Sequence, residues 1–151
     1  MEATAGVPVL EIGEVVRLAV APVFLLSGVG VTLTLLVNRL ARVIDRARAL
    51  EGDESQALPP GRADLESRLN TLTVRARLLG RAITLSTICA LLVSLVVVTL
   101  FIGALFEIHV SLVIAAEFIL AMFCLIGALL YFLREVFLAT RTLRIGLRHS
   151  T

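Results

Sequence analysis

Three long stretches of apolar residues dominate the pattern of the chain. They occupy positions 15–37, 82–106 and 110–133. Each is longer than the roughly 20 residues that a helix needs to cross a bilayer core of about 30 Å. The pattern therefore predicts three membrane-spanning helices. The second and third helices are joined by a short link at positions 107–109.

The segment between the first two spans, 38–81, has a helical pattern of its own. Its first arm carries one apolar stripe, and its return arm follows the heptad spacing of a coiled coil. These positions are Leu40, Val43, Ile44, Ala47 and Leu50, then Leu65, Leu69, Leu72, Ala76, Leu79 and Ile83. Residues 52–61 are rich in Gly, Pro and acids, which is typical of a turn. We therefore predict a helical hairpin at 38–81.

A further helix is predicted at 134–149, directly after the third span. One face of it carries Leu133, Phe137, Thr140, Leu143 and Leu147. The predicted fold class is an all-α integral membrane protein. Its three transmembrane helices extend into a cytoplasmic, coiled-coil-like helical bundle. No domain boundary is needed, so residues 1–151 form a single membrane domain.

Small residues mark the faces on which helices can approach each other closely. Gly28 and Gly30 form a thin patch on the first span, and every fourth residue of the second span is small. That second ridge consists of Ala82, Ser86, Ala90 and Ser94. We expect both sets to serve helix packing, including packing between copies of the chain in a homo-oligomer.

Composition agrees with a membrane protein and offers little chemistry. Hydrophobic residues make up 58% of the chain, and the mean hydropathy is +0.98. The two cysteines, Cys89 and Cys124, fall inside spans and lack the spacing of a metal or redox motif. Catalytic and phosphate-binding signatures are missing as well. We therefore expect a non-enzymatic protein without a cofactor or a metal site.

The basic residues predict how the chain lies in the membrane. All 14 are Arg: nine lie between the first two spans, four follow the third span, and only Arg17 lies elsewhere. Positively charged residues that flank spans stay in the cytoplasm. The N-terminus is therefore expected outside, and the hairpin and the C-terminus inside.

Glu117 is the ionisable residue that stands inside the third span. Such a group is a functional candidate by default, although it usually pairs with another charge. Helical rise places both Glu117 and Arg17 near the outer side of the membrane. Two interpretations stay open: an Arg17–Glu117 ion pair, or a carboxylate that lines an ion or proton path.

The arginines at the inner side have two expected roles. Arg39, Arg42, Arg46 and Arg48 surround Asp45, which predicts an ion-pair lattice that holds the hairpin. The second set is expected to contact anionic lipid headgroups, and it consists of Arg75, Arg77, Arg81 and Arg134. A nucleic-acid partner is not expected, because acidic residues nearly balance the arginines and no aromatic residues are interleaved with them.

Four segments of the chain carry a family resemblance: APVFLLSGVG at 21–30, NRLARVIDRARAL at 38–50, RARLLGRAI at 75–83 and FLREVFLATRTLR at 132–144. Together they resemble the DUF2721 family of small bacterial membrane proteins of unknown function. The resemblance implies a three-span bacterial protein, which we expect in the inner membrane. It transfers no activity and no site.

Two functional hypotheses follow from the sequence. The first is an oligomeric scaffold or regulatory subunit that contacts membrane lipids and an unidentified membrane or cytoplasmic protein. The second is a homo-oligomeric ion or proton channel with Glu117 near the pathway. The second hypothesis requires a ring of protomers, because three spans are too few to enclose a conduit.

Overall fold

A computed structural model describes residues 9–54, 59–106 and 108–146, which form three α-helices. These are α1 (Val9–Glu54), α2 (Pro59–Phe106) and α3 (Ser111–Gly146). Helix α1 has 46 residues and α2 has 48, so each is about 70 Å long. Apolar span and polar arm therefore belong to one continuous helix in each case.

Each helix is long and apolar enough to cross a membrane, as the sequence predicted. The qualifying segments are Gly13–Gly52, Leu65–Phe106 and Ser111–Thr140. The centre of the predicted turn at 52–61 lies outside the described residues, as do Glu107 of the predicted link and residues 147–149 of the predicted C-terminal helix.

Helix α2 is the central element, because it packs along both α1 and α3. The buried residues form two clusters along this axis. One cluster contains Val29, Cys89, Val93 and Ala121. The other contains Leu36, Val43, Leu79 and Ala82, with Tyr131 and Phe132 packed against it. Each cluster holds residues of α1 and α2 and is contacted by α3, so all three helices contribute to both clusters.

The buried positions repeat every seven residues on the two outer helices. On α1 they include Pro22, Val29, Leu36 and Val43, and on α3 they are Ala121, Ala128 and Glu135. On α2 the buried positions from 79 to 96 alternate in steps of three and four, namely Leu79, Ala82, Ser86, Cys89, Val93 and Val96. An average step of 3.5 residues keeps a seam turned towards a neighbouring helix.

This spacing explains why the predicted small-residue ridge is only partly used within the protomer. Ala82 and Ser86 are buried, Ala90 is half-buried and Ser94 is exposed. A step of four residues drifts by about 40° around a helix with 3.6 residues per turn. After three such steps, Ser94 points away from the core.

Gly28 and Gly30 lie on the outside of α1. Both are exposed, and a Cβ built on either one would meet nothing within 4 Å. Val29, between them, is buried in the core. Two residues apart on a helix, the glycines lie about 200° from each other, so they flank Val29 and do not form the single patch that the sequence suggested. Neither one packs against another helix of the described chain.

A tight connection joins α2 to α3. The backbone N–H of Ile108 donates to the carbonyl of Gly103 at 3.1 Å, which closes the last turn of α2. A Cβ on Gly103 would overlap the Val110 side chain. The turn therefore depends on a glycine at position 103.

Candidate functional site

The most buried charged side chain that the structure describes is Glu135 on α3. Its exposed fraction is only 1%. It occupies the same face of α3 as Ala121 and Ala128, seven and fourteen residues earlier. Glu135 therefore occupies a core position of the seven-residue repeat. An ionised carboxylate that is buried in a core requires partners.

Two arginines from the other two helices bind this carboxylate. Arg75 of α2 donates to Oε1 from Nε at 3.1 Å and from Nη2 at 2.7 Å. Arg39 of α1 donates to Oε2 from Nη1 at 2.8 Å. Each oxygen of Glu135 therefore has its own guanidinium, and the interaction joins all three helices. We call Arg39, Arg75 and Glu135 the three-helix ion cluster.

The two arginines differ in how deeply they lie. The side chain of Arg75 is 15% exposed and that of Arg39 is 31% exposed. Arg39 also stacks on an aromatic residue, since its Cζ lies 5.1 Å from the centre of the Phe132 ring. Such stacking suits a planar guanidinium. The cluster holds two positive charges and one negative charge. Each carboxylate oxygen accepts from one of the two guanidiniums, so neither oxygen is unpaired.

The predicted lattice around Asp45 is not formed as expected. Asp45, Arg42, Arg46 and Arg48 are all exposed. Among the described residues, the ion pairs run from Arg39 and Arg75 to Glu135, and none reaches Asp45. Asp45 lies on the outward side of α1, two residues past the buried Val43. Arg39 is thus the one member of the predicted lattice that takes part in an ion cluster.

The four predicted lipid-contacting arginines separate into three environments. Arg75 belongs to the ion cluster, and Arg134 is exposed on α3. Arg77 and Arg81 line an open groove of about 470 Å³ between α2 and α3. Arg81 places its Cζ 5.8 Å from the centre of the Tyr131 ring. Neither Arg77 nor Arg81 pairs with a carboxylate of the described chain.

Glu117 of α3 accepts a hydrogen bond from α2. Oγ1 of Thr99 on α2 donates to its Oε1 at 3.2 Å. Its Oε2 is buried and has no hydrogen-bond partner among the described residues. Arg17 is exposed on α1 and forms no ion pair with Glu117. Both α1 and α3 pack mainly along α2, and Glu117 faces Thr99 of α2.

Glu135 is the residue that the interpretation of the sequence missed. The predicted face of the last helix carried Leu133, Phe137 and Thr140, which are exposed. The signal that identifies Glu135 is the seven-residue repeat from Ala121 through Ala128. Among the described residues, no three His, Cys, Asp or Glu side chains lie together as a metal site would require.

The three helices and the three-helix ion cluster indicate the class of protein to which the chain belongs. The chain is an all-helical protein with three helices able to span a membrane, which is the architecture of a multi-pass membrane protein. More particularly, it belongs to the DUF2721 family, described as "protein of unknown function", whose family model matches residues 19–145. The match covers Glu135 and both of its arginine partners. Neither a curated protein nor a solved structure matches the chain.

Proposed function

We propose that the chain is a non-enzymatic integral membrane protein that serves as an oligomeric scaffold or regulatory subunit. The observation that carries the proposal is the complete engagement of Glu135. Two guanidiniums occupy both oxygens of its carboxylate. A group used in this way positions helices and has no free atom with which to react. The ion cluster thus supports a rigid structural unit.

The outer surface of α1 supports self-association of this unit. Gly28 and Gly30 are exposed, with open space where a Cβ would stand. Small residues allow two helix backbones to approach closely in a membrane, where van der Waals packing drives association. The two glycines lie about 200° apart around α1, on either side of the buried Val29. We therefore propose each of them as a separate point of contact between protomers.

The assembly is tested by enlarging both glycines. The double variant Gly28→Leu, Gly30→Leu is expected to lower the mass of the purified protein in detergent, measured by light scattering, and to abolish cross-linking in membranes. Gly13→Leu is the matched control, because Gly13 is also an exposed α1 glycine with nothing nearby. A wild-type protein that is strictly monomeric in membranes would contradict the proposal.

We also propose that the protein lies in a bacterial inner membrane with the ion cluster at the cytoplasmic side. The arginine distribution supports this orientation. Ile108 is 57% exposed in the α2–α3 connection, and Asp45 is exposed on α1. In intact cells, a membrane-impermeant maleimide should label an Ile108→Cys variant and not an Asp45→Cys variant. The reverse labelling pattern would contradict the orientation.

A proton or ion path is a second candidate function, which the environment of Glu117 favours. Among the described residues, its Oε2 is buried without a partner while Oε1 accepts from Thr99. A carboxylate oxygen in an apolar span is a site that a proton or a cation can occupy. Enclosing a path would still require several protomers.

Flux measurements distinguish the two candidates. Liposomes that contain the protein and a trapped pH dye would report proton movement after a potential is imposed. The path predicts flux that Glu117→Gln abolishes and that Glu14→Gln, at an exposed carboxylate of α1, preserves. If flux is absent, or equal in the two variants, the path is contradicted and the scaffold role is the remaining candidate.

A further inference from the structure

A groove between α2 and α3 carries two arginines that the ion cluster does not use. Its lining consists of Arg77, Gly80, Arg81, Thr84, Leu85 and Tyr131. Arg77 and Arg81 are one helical turn apart on α2, so their side chains lie on one face. Both are exposed and neither pairs with an acid of the described chain. Glu135, four residues after Tyr131 on α3, is already bound by Arg39 and Arg75.

The floor and the wall of the groove leave room for a polar group. Gly80 stands between the two arginines, and a Cβ there would meet nothing within 4 Å. The wall on α3 carries Tyr131, whose ring lies beneath the Arg81 guanidinium. Thr84 adds a hydroxyl oxygen, although its proton is donated to the Gly80 carbonyl at 3.0 Å. The groove therefore offers two cations beside open space.

The same face of α2 becomes apolar immediately beyond the groove. Ile88, Leu91 and Leu95 continue the stripe of Arg81 and Thr84 in steps of four and three residues. They are 40%, 65% and 47% exposed. A molecule that follows this face meets cations first, then a hydroxyl, then hydrocarbon. That order matches the phosphate, the glycerol region and the acyl chain of a phospholipid.

We propose that this groove is a binding site for an anionic phospholipid, with Arg77 and Arg81 holding its phosphate. The continuity of charged and apolar surface selects a lipid over free phosphate, because phosphate has nothing to place against Ile88 and Leu91. The proposal needs the helices to lie in a membrane. It does not depend on the scaffold role or on self-association.

Tyr131 supplies a direct readout, since the chain has one Tyr and no Trp. Its fluorescence therefore reports on the groove alone. The full-length protein would be reconstituted in phosphatidylcholine vesicles that contain a small fraction of phosphatidylglycerol with brominated acyl chains. Brominated phosphatidylcholine would replace it in the comparison sample. The site predicts stronger quenching of Tyr131 by the brominated phosphatidylglycerol.

Removing the cations should remove the selectivity. Each arginine near a membrane surface is worth about a factor of five in affinity for anionic lipid, so Arg77→Gln, Arg81→Gln together should weaken it about 30-fold. The matched control is Arg42→Gln, Arg46→Gln, an exposed pair on α1 with the same spacing and charge change. The control should keep the selectivity, whereas equal loss in both variants would mean general surface attraction and overturn the proposal.

Two further samples test the remaining alternative explanations. Gly80→Leu fills the groove and keeps both arginines, so it should abolish the selective quenching even if the arginine variant folds poorly. Inorganic phosphate at millimolar concentration should leave the quenching unchanged. Displacement by phosphate would assign the groove to a free anion, and equal quenching by the two brominated lipids would eliminate the site.

Discussion

Arg75 and Glu135 lie 60 positions apart in the chain, and Nη2 of the arginine is 2.7 Å from Oε1 of the glutamate. Nε of Arg75 donates to the same oxygen. The other oxygen accepts from Arg39, so one carboxylate fixes α1, α2 and α3 relative to each other. The cluster lies where the apolar segments of the helices end and the charged segments begin. There it sets the register of the three helices.

Removing the carboxylate should destabilise the protein strongly. Glu135→Ala leaves two partly buried arginines facing each other, which costs about 3–5 kcal/mol in the free energy of unfolding. Glu135→Gln should cost less, because its amide oxygen still accepts one hydrogen bond. Unfolding in mixed micelles measures both values. Glu66→Gln, at an exposed acid of α2, is the control and should change little.

Replacing the whole cluster tests whether charge or packing is responsible. The triple variant Arg39→Met, Arg75→Met, Glu135→Leu should recover much of the stability that Glu135→Ala loses, because no unpaired charge remains. A triple variant that is no more stable than Glu135→Ala would contradict this account of the cluster.

The two arginines should contribute unequally. Arg75 donates two hydrogen bonds to the carboxylate and Arg39 donates one. Since a hydrogen bond to a charged group contributes about 1.5–3 kcal/mol, Arg75→Gln should lower the free energy of unfolding more than Arg39→Gln. Repeating both changes in a Glu135→Gln background should shrink the difference. An unchanged difference would mean that the arginines act through other contacts.

A single methyl group added at Gly103 should destabilise the α2–α3 turn. Gly103→Ala places a Cβ against the side chain of Val110, and overpacking of this kind costs about 1–3 kcal/mol. Gly103→Ala combined with Val110→Ala should regain the loss, because the shortened side chain makes room. Gly13→Ala, at a glycine with nothing nearby, should not destabilise. Thermal unfolding in detergent reports all three, and failure of the double variant would argue against the contact.

The helices were predictable because long apolar runs permit few structures in a membrane. The return arm was also informative: Leu79 is buried, and Leu72, Ala76 and Ile83 pack in the same cluster. Hydrophobic spacing within one helix is a local property, so a sequence displays it directly. Whether the polar arms lie in the cytoplasm as a coiled-coil-like bundle stays a prediction.

The ion cluster was not predictable from local spacing. Asp45 has three arginines within three residues, and spacing rules consider only such neighbours. The partners of Glu135 lie 60 and 96 positions away, so they meet only when the register of three helices is known. The seven-residue repeat on α3 identifies Glu135 as inward-facing, but it does not name the arginines that bind it.

The buried hydroxyl of Ser86 should lower the free energy of unfolding. Its side chain is fully buried on α2, and its Oγ has no hydrogen-bond partner among the described residues. A buried polar group of this kind costs about 1–3 kcal/mol, so Ser86→Ala should raise the free energy of unfolding. Ser94→Ala is the matched control on the same helix, because Ser94 is exposed and donates to the Ala90 carbonyl at 2.9 Å. It should be nearly neutral. If Ser86→Ala instead destabilises the protein, this account of Ser86 is wrong, and the hydroxyl is satisfied inside the core, for example by a buried water.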